Sequence, residues 1–391
     1  MMNILYLFFG VLTGIFTCLF PGIHPNNIAV LSIFLLPYFG ENFVPFLIGL
    51  VISHYFINFI PAAFLGVPDD KTSVSVLPLH KLTLKGYGYE GVILSGLGAF
   101  LGVAISLVFV LIVLLMKIDI NTLYLFIKPA IPFILILFVI YQIITAKHIW
   151  EIAIIFLSGI FGIVVLYLNY SELSTLTAIF TGMFGVPILL NSLNSKFPKQ
   201  NITFPKFELI YIYTSLFATV TGFFRIFLPA VSGAQLNFLL SKIIKESNLR
   251  SFLVSQGAII LSNEVLSLLA LIFIGKGRSG VAETIRLLNL KFSLNDMIFY
   301  IIVSSAISFI LLSYISKFLL KILPKINFRL LSIFLIIFCT LLVLVVSKYP
   351  IYNFIVYLTA IFIGILANKS NSNLSNMMNV LVFPTILLFL R

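Results

Sequence analysis

The chain has 391 residues, of which 61% are apolar and only 9% charged. Soluble domains carry about 25% charged residues, so a water-soluble enzyme, a nucleic-acid binder and a disordered scaffold are all excluded. The net charge of +12 is spread over short connections, as in the cytoplasmic loops of a membrane protein, and no nucleic-acid partner is expected.

Taken in chain order, apolar runs cover residues 4–20, 27–39, 43–65, 91–116, 129–146, 149–168 and 175–193. A polar stretch, 194–208, carries Lys196, Lys199 and Lys206 with Pro198 and Pro205, and reads as a central linker. The runs 209–228, 232–245, 250–274, 296–320, 328–347, 350–367 and 375–390 follow. Backbone groups in lipid must be satisfied within their own segment, so these runs are predicted to be helices. The expected fold is an all-α polytopic membrane protein with roughly 10–14 membrane segments. Residues 1–20 lack a basic leader region and run straight into the first segment, so no cleaved signal is expected. Cys18 and Cys339 lie inside apolar runs and read as packing residues.

The sequence repeats. Thr13-Gly14-Ile15-Phe16 through Pro21 matches Thr221-Gly222-Phe223-Phe224 through Pro229 without a gap. Phe46-Leu47 aligns with Phe252-Leu253, and a Gly-rich break at 66–75 with another at 275–283. Three landmarks in one order indicate duplication. The predicted units are a first membrane repeat, 1–193, the linker 194–208, and a second repeat, 209–391. An odd number of crossings between the repeat starts predicts that the second is inverted. Inverted repeats with Gly/Pro-interrupted short segments are a signature of secondary transporters. Most Lys and Arg residues fall in 66–90, 147–149, 194–208, 246–250 with its flanks, 317–329 and 369. That side is expected to be cytoplasmic, with both termini outside.

The repeat breaks supply the first candidate site. Pro21 and Gly22 end a helix, and Asn26 or Asn27 can cap the next, with His24 between them. Such a tip aims free N–H groups and a helix dipole at one point, which suits a carboxylate or phosphate. In the second repeat, Pro229 is followed by Ser232, Gly233, Gln235 and Asn237. Two tips facing each other would form one central site. In the second pair of breaks, Thr72, Ser73, Ser75 and Ser279 are candidates to line a polar path. Lys71 and Arg278 are candidate anion partners, although Asp69 and Asp70 beside Lys71 also fit a solvated loop.

Charges within lipid are costly and need partners. Arg225, one turn before Pro229, and Glu264, beside Asn263, lie in apolar segments. They either form a structural ion pair, or Arg225 holds the substrate anion while Glu264 carries the coupling ion. His54 and Asn58, one turn apart, are polar bundle contacts or ion ligands. Thus Asn58, Asn263 and Glu264 are the candidate coupling-ion residues. No H-E-x-x-H, C-x-x-C or Walker A pattern is present, so neither a metal, a cofactor nor ATP-driven pumping is expected.

Gly14, Pro21-Gly22, Gly66-Val67-Pro68, Ser73-Val74-Ser75, Lys81, Lys85-Gly86-Tyr87, Glu90-Gly91 and Leu97-Gly98-Ala99-Phe100-Leu101-Gly102 together resemble the TctA family. That is the large membrane subunit of tripartite tricarboxylate transporters, and Pro21-Gly22-Ile23-His24 is similar to its shorter archaeal branch. The resemblance is best over 10–102 and weaker over 219–283. It implies a permease of the cell membrane for organic anions, driven by an ion gradient of H+ or Na+. It also implies a small membrane subunit and an extracytoplasmic binding protein as partners. Pro229-Ala230 departs from the Pro-Gly of the first tip, and the tricarboxylate substrate is not carried over. A shorter likeness, Pro229-Ala230-Val231-Ser232-Gly233, is similar to the tip of polyprenyl-phosphate translocases. The alternative reading is therefore a carrier of a phosphate-headed lipid, with an intramembrane enzyme on lipid-linked substrate as a third.

Overall fold

The computed structural model describes residues 2–19, 25, 28–29, 32–66, 76–167, 173–193, 197–227, 248–275, 277 and 279–390. Among these, every regular element is helical. Seven helices are long and apolar enough to cross a membrane, and five shorter apolar helices accompany them. Large apolar side chains such as Phe126, Val345, Ile351 and Phe362 point outward, as lipid-facing surfaces require.

The first half contains α1 (Met2–Cys18), α2 (Phe43–Ile57), α3 (Phe59–Phe64), α4 (Val76–Leu84) and α5 (Gly88–Leu115). It continues with α6 (Ile120–Ile127), α7 (Ile131–Ile144), α8 (Ile149–Tyr167), α9 (Leu173–Phe180) and α10 (Val186–Ser192). A π-helical turn, Thr181–Gly185, joins α9 to α10. The second half contains α11 (Ile210–Phe227), α12 (Leu249–Ile274), α13 (Gly280–Leu287) and α14 (Leu294–Ile322). It ends with α15 (Phe328–Val346), α16 (Pro350–Lys369) and α17 (Asn379–Leu390). The run expected as one helix over 43–65 divides into α2 and α3 at Asn58, whose backbone stays helical and which still bonds the His54 carbonyl and Ala62 N. Pro61 has no N–H to give Ile57, so the hydrogen-bond ladder is interrupted there.

Close contacts fix the sense of each helix. Gly10 meets Phe46, Gly14 meets Leu50 and Ser53, and Thr17 reaches His54, so α1 and α2 run parallel. Asn3 donates to the Tyr300 hydroxyl at 3.0 Å, which puts the start of α14 beside the start of α1. On the other half, Glu90 pairs with Arg250, Gly98 abuts Val254 and Gly102 abuts Ala258, so α5 and α12 run parallel. Gly222 meets Ser262, while Tyr211 lies within electrostatic reach of Arg250, so α11 runs with them. The Tyr89 hydroxyl bonds the Ser313 hydroxyl at 2.8 Å, and Lys317 lies over the Tyr89 ring. The start of α5 thus sits beside the end of α14. Helices α1, α2 and α14 run one way, and α5, α11 and α12 the other.

The pairings match in the same way. Helix α2 packs on α1 and on α14, and α12 packs on α11 and on α5. Outside this centre, α8 packs on α17, and α16 on α9 through α10. Each half therefore packs one of its long helices into the other half. Two glycines close the correspondence. Gly66 and Gly275 both adopt left-handed backbone, at φ 65° and 67°, just after α3 and at the end of α12. The interval from Gly66 to Gly275 equals that from Ser53 to Ser262. In this register Phe252 corresponds to Phe43, three residues earlier than the Phe46 expected from sequence.

The linker is seated on the first half. The Gln200 side chain accepts from Gly88 N at 2.9 Å and donates to the Thr83 carbonyl at 2.8 Å. Asn201 N donates to the Gly86 carbonyl at 2.8 Å. The loop 84–88 and the start of the linker thus lie together.

Backbone proximity makes α5 intolerant of side chains. A Cβ at Gly98 would lie 1.9 Å from the Val254 carbonyl oxygen. Overpacking costs about 1–3 kcal/mol or more. Gly275, with open space around it, meets only the left-handed backbone cost of about 1–2 kcal/mol. Gly98→Val is therefore expected to lower the thermal midpoint in detergent more than Gly275→Ala, as measured by a melting curve of each purified variant.

Candidate functional site

Two helices form the buried centre. Every residue of α2 is buried, as are most of α12, and the two touch each other. The two run in opposite senses, one from each half of the chain. Both carry polar side chains at corresponding positions. On α2 these are Ser53, His54 and, at the break, Asn58, with 0%, 2% and 5% exposure. On α12 they are Ser262, Asn263, Glu264 and Ser267, with 0%, 8%, 1% and 2% exposure. His54 corresponds to Asn263 and Asn58 to Ser267. Isolated charge and amide groups at this depth are expensive, and a transporter concentrates them where solute passes.

Local bonds hold several of these groups. Ser53 donates to the Val11 carbonyl at 3.0 Å, and the Thr17 hydroxyl lies 3.3 Å from His54 Nδ1. Thr17 itself leans on the carbonyls of Thr13 and Gly14, so α1 sets the imidazole's position. On the other side, Ser267 Oγ accepts from Ser279 N at 2.7 Å. Ser279 then caps α13 by accepting from Ala282 N at 3.1 Å. Gly275 turns the chain sharply enough for this return, and a Cβ at Gly277 would strike Ala282 at 2.3 Å. The sequence-expected path residue Ser279 is thus placed against the centre through Ser267.

Asn58, Asn263 and Glu264, the expected ion residues, all fall in this centre. Pro21, Gly22, His24, Asn26, Asn27, Thr72, Ser73, Ser75, Ser232, Gly233, Gln235, Asn237 and Arg278 lie outside the described residues. So do Lys71 and the side chain of Arg225, whose backbone belongs to α11. Sequence reading missed Thr17 and Ser267. Ser267 had a signal: Asn263 and Ser267 repeat the one-turn spacing of His54 and Asn58.

Near the linker face, α4 folds under α3. His80 Nδ1 donates to the Ala63 carbonyl at 3.1 Å, and Thr83 Oγ1 donates to the same oxygen at 2.8 Å. Together they cap the end of α3. Among the described residues, no three His, Cys, Asp or Glu side chains converge to hold a metal ion.

The helix senses, the outward apolar belt and the buried polar centre define a multi-pass α-helical membrane protein of transporter type. The chain belongs to the tripartite tricarboxylate transporter TctA family, whose sequence profile matches residues 4–379. It is also similar to the uncharacterized protein MJ1079 of Methanocaldococcus jannaschii, 60% identical over 396 aligned positions that cover 100% of both chains. No solved structure matches the chain.

Burial holds the His80 imidazole below its ordinary value of 6.5, against the opposing pull of the Ala63 carbonyl. A folded-state value below the unfolded one means that the unfolded chain takes up the proton first. This contribution is complete above pH 6.5 and declines as the pH falls through 6.5 towards the lowered value. His80→Asn keeps an N–H for Ala63 without the titration. The pH dependence of its melting temperature between about 5 and 7 should be flatter than that of the unaltered protein.

Proposed function

We propose that this chain is the permease of a tripartite system in the cell membrane, moving an organic anion such as a carboxylate by alternating access. Gradients of H+ or Na+ drive it, with Asn58, Asn263 and Glu264 serving the coupling ion. The observation that carries this reading is the meeting of α2 and α12, mates of opposite sense, with polar groups at matching positions on each.

The repeat boundaries follow: a first membrane repeat over 1–193, a linker over 194–208 and an inverted repeat over 209–391. Helix α1 ends and α2 begins at opposite faces, as do α11 and α12. Each pair therefore demands a returning connection, and those connections carry Pro21 to Asn27 and Pro229 to Asn237. Backbone N–H groups there, with Ser232, Gln235 and Asn237, bind the anion, and Arg225 neutralises it. Residues Thr72, Ser73, Ser75, Arg278 and Ser279 line the approach. Glu264, buried on α12 beside Asn263, serves the coupling ion. The linker face, rich in Lys and Arg, is cytoplasmic. A small membrane subunit and an extracytoplasmic binding protein complete the assembly, and the chain itself is not an enzyme.

Uptake into liposomes separates these roles. Arg225→Ala should abolish uptake of a labelled carboxylate while leaving the melting temperature near that of the unaltered protein. Glu264→Gln should lose gradient-driven accumulation yet retain exchange of carboxylate for carboxylate. Uptake by Arg225→Ala equal to that of the unaltered protein would remove this residue from the site. Competition by polyprenyl phosphate, but by no carboxylate, would overturn the substrate class.

A further inference from the structure

Two prolines interrupt the peripheral helices at corresponding places. Pro187 follows the π-helical turn Thr181–Gly185 at the start of α10, and Pro384 lies inside α17. Neither has an N–H, so the carbonyls four residues back, those of Met183 and Val380, lose their usual donor. Each of these two carbonyls rests on a glycine of the other half. A Cβ at Gly364 of α16 would overlap the Met183 oxygen, and one at Gly162 of α8 would overlap the Val380 oxygen. A glycine Cα–H facing a freed carbonyl is a weak bond that holds two helices in contact without locking them. The sequence repeats around both contacts, with one residue more in the second copy each time. Pro187-Ile188-Leu189-Leu190 matches Pro384-Thr385-Ile386-Leu387-Leu388, and Phe161-Gly162-Ile163 matches Phe362-Ile363-Gly364-Ile365.

The two copies are wound differently. Before Pro187 the helix is loosened, and Val186 N donates to the Thr181 carbonyl, five residues back. Before Pro384 the chain is tightened, with a 3-10 stretch over Leu374–Met378 leading into α17. No residue of α9 is tightened in this way, and none of α17 up to Pro384 is loosened. The tight stretch is held by its neighbours. Ser158 of α8 donates to the Asn376 carbonyl at 3.1 Å, and Asn379 Nδ2 donates to Gln142 Oε1 of α7 at 2.8 Å. In the register that matches Gly162 with Gly364, α16 has Ala360 in place of Ser158, and its methyl lies against Gly182 of the loosened turn. The loosened copy also reaches the α3 break. A Cβ at Gly66 would lie 3.2 Å from the Ile188 side chain, and Leu65 packs on Leu189.

We propose that Pro187 and Pro384 mark a pair of hinges that trade winding as access switches from one side of the membrane to the other. In this structure the first hinge is loosened and the second is tight. In the opposite-facing state the first tightens and the second loosens. The ground for this is geometric: two inverted copies of one unit, held in different shapes, give the same structure facing the other way when they trade shapes. A π turn beside a proline is suited to the change. Passing a carbonyl between donors four and five residues onward redirects the helix while most of its ladder stays made. The glycine contacts keep each hinge seated on the opposite half while it turns. This inference rests on the permease reading and names the parts that move in it.

Hydrogen exchange on the purified full-length protein tests the hinges without transport. In the unaltered protein, amides over 184–190 should exchange about tenfold faster than those at the middle of α8 and α16. Pro187→Ala returns an N–H to the Met183 carbonyl and removes the reason for the loosened turn. It should slow exchange over 184–190 about tenfold and, because the copies trade shapes, speed it by a similar factor over 381–388. Pro384→Ala should slow 381–388 and keep 184–190 fast. A change confined to the substituted helix, or no change at all, overturns the trade. In liposomes both substitutions should lower the maximal rate of labelled-carboxylate uptake about tenfold, with KM within about twofold and the melting temperature not reduced. Rates equal to that of the unaltered protein overturn the part of these hinges in transport. If the unaltered protein takes up no carboxylate, the permease reading fails, while the coupling between the two prolines is still decided by hydrogen exchange.

Discussion

Direct backbone contact between α5 and α12 is the constraint on which the rest of this structure depends. In lipid there is little hydrophobic force to press two helices together, so association relies on close packing and on small residues. Gly98 and Gly102 let the α5 backbone reach the carbonyls of Val254 and Ala258. The Glu90–Arg250 pair fixes the register at the linker face. Because α5 comes from the first half and α12 from the second, this contact welds the halves. The α14–α2 contact is its counterpart. Once both are made, α2 and α12 have nowhere to lie but against each other.

That geometry explains where the polar groups are. Helices of opposite sense, one from each half of the chain, meet at α2 and α12. His54, Asn58, Asn263, Glu264 and Ser267 occupy α2 and α12, the pair that meets there. Elsewhere the buried surfaces of these helices are mostly apolar or small. The peripheral helices repeat the same exchange. Gly162 of α8 abuts the Val380 carbonyl, and Gly364 of α16 abuts the Met183 carbonyl. The α2 break at Asn58, forced by Pro61, has no equivalent in α12, which runs unbroken through Glu264. The two halves therefore share a frame but differ where a solute would be handled. One offers a helix that lacks a single ladder bond and carries an imidazole and an amide, the other a continuous helix with a carboxylate.

The helical runs and their approximate bounds were legible in the chain. Runs of apolar residues in lipid have only helix available to them. Residue pattern placed Gly66 and Gly275 at breaks, and their left-handed backbone bears this out. The repeat register was legible only to within three residues. Phe46 and Phe252 are both aromatic, and a short aromatic match cannot tell neighbouring turns apart. Ser53 and Ser262 settle the matter because each lies against the glycine of the repeated Thr-Gly pair. Thr17 gave no signal, since its role comes from a partner on another helix.

The sequence by itself determined an all-helical membrane chain and its family, because composition, periodicity and motif act locally and along one helix at a time. Tertiary structure decided which helices exchange between the halves, that α2 and α12 form the buried centre, and which carbonyls rest on a glycine of the other half. The reason is physical: those outcomes depend on backbone-to-backbone distances between segments remote in the chain. A glycine announces that such an approach is allowed, and only the folded chain shows what makes it.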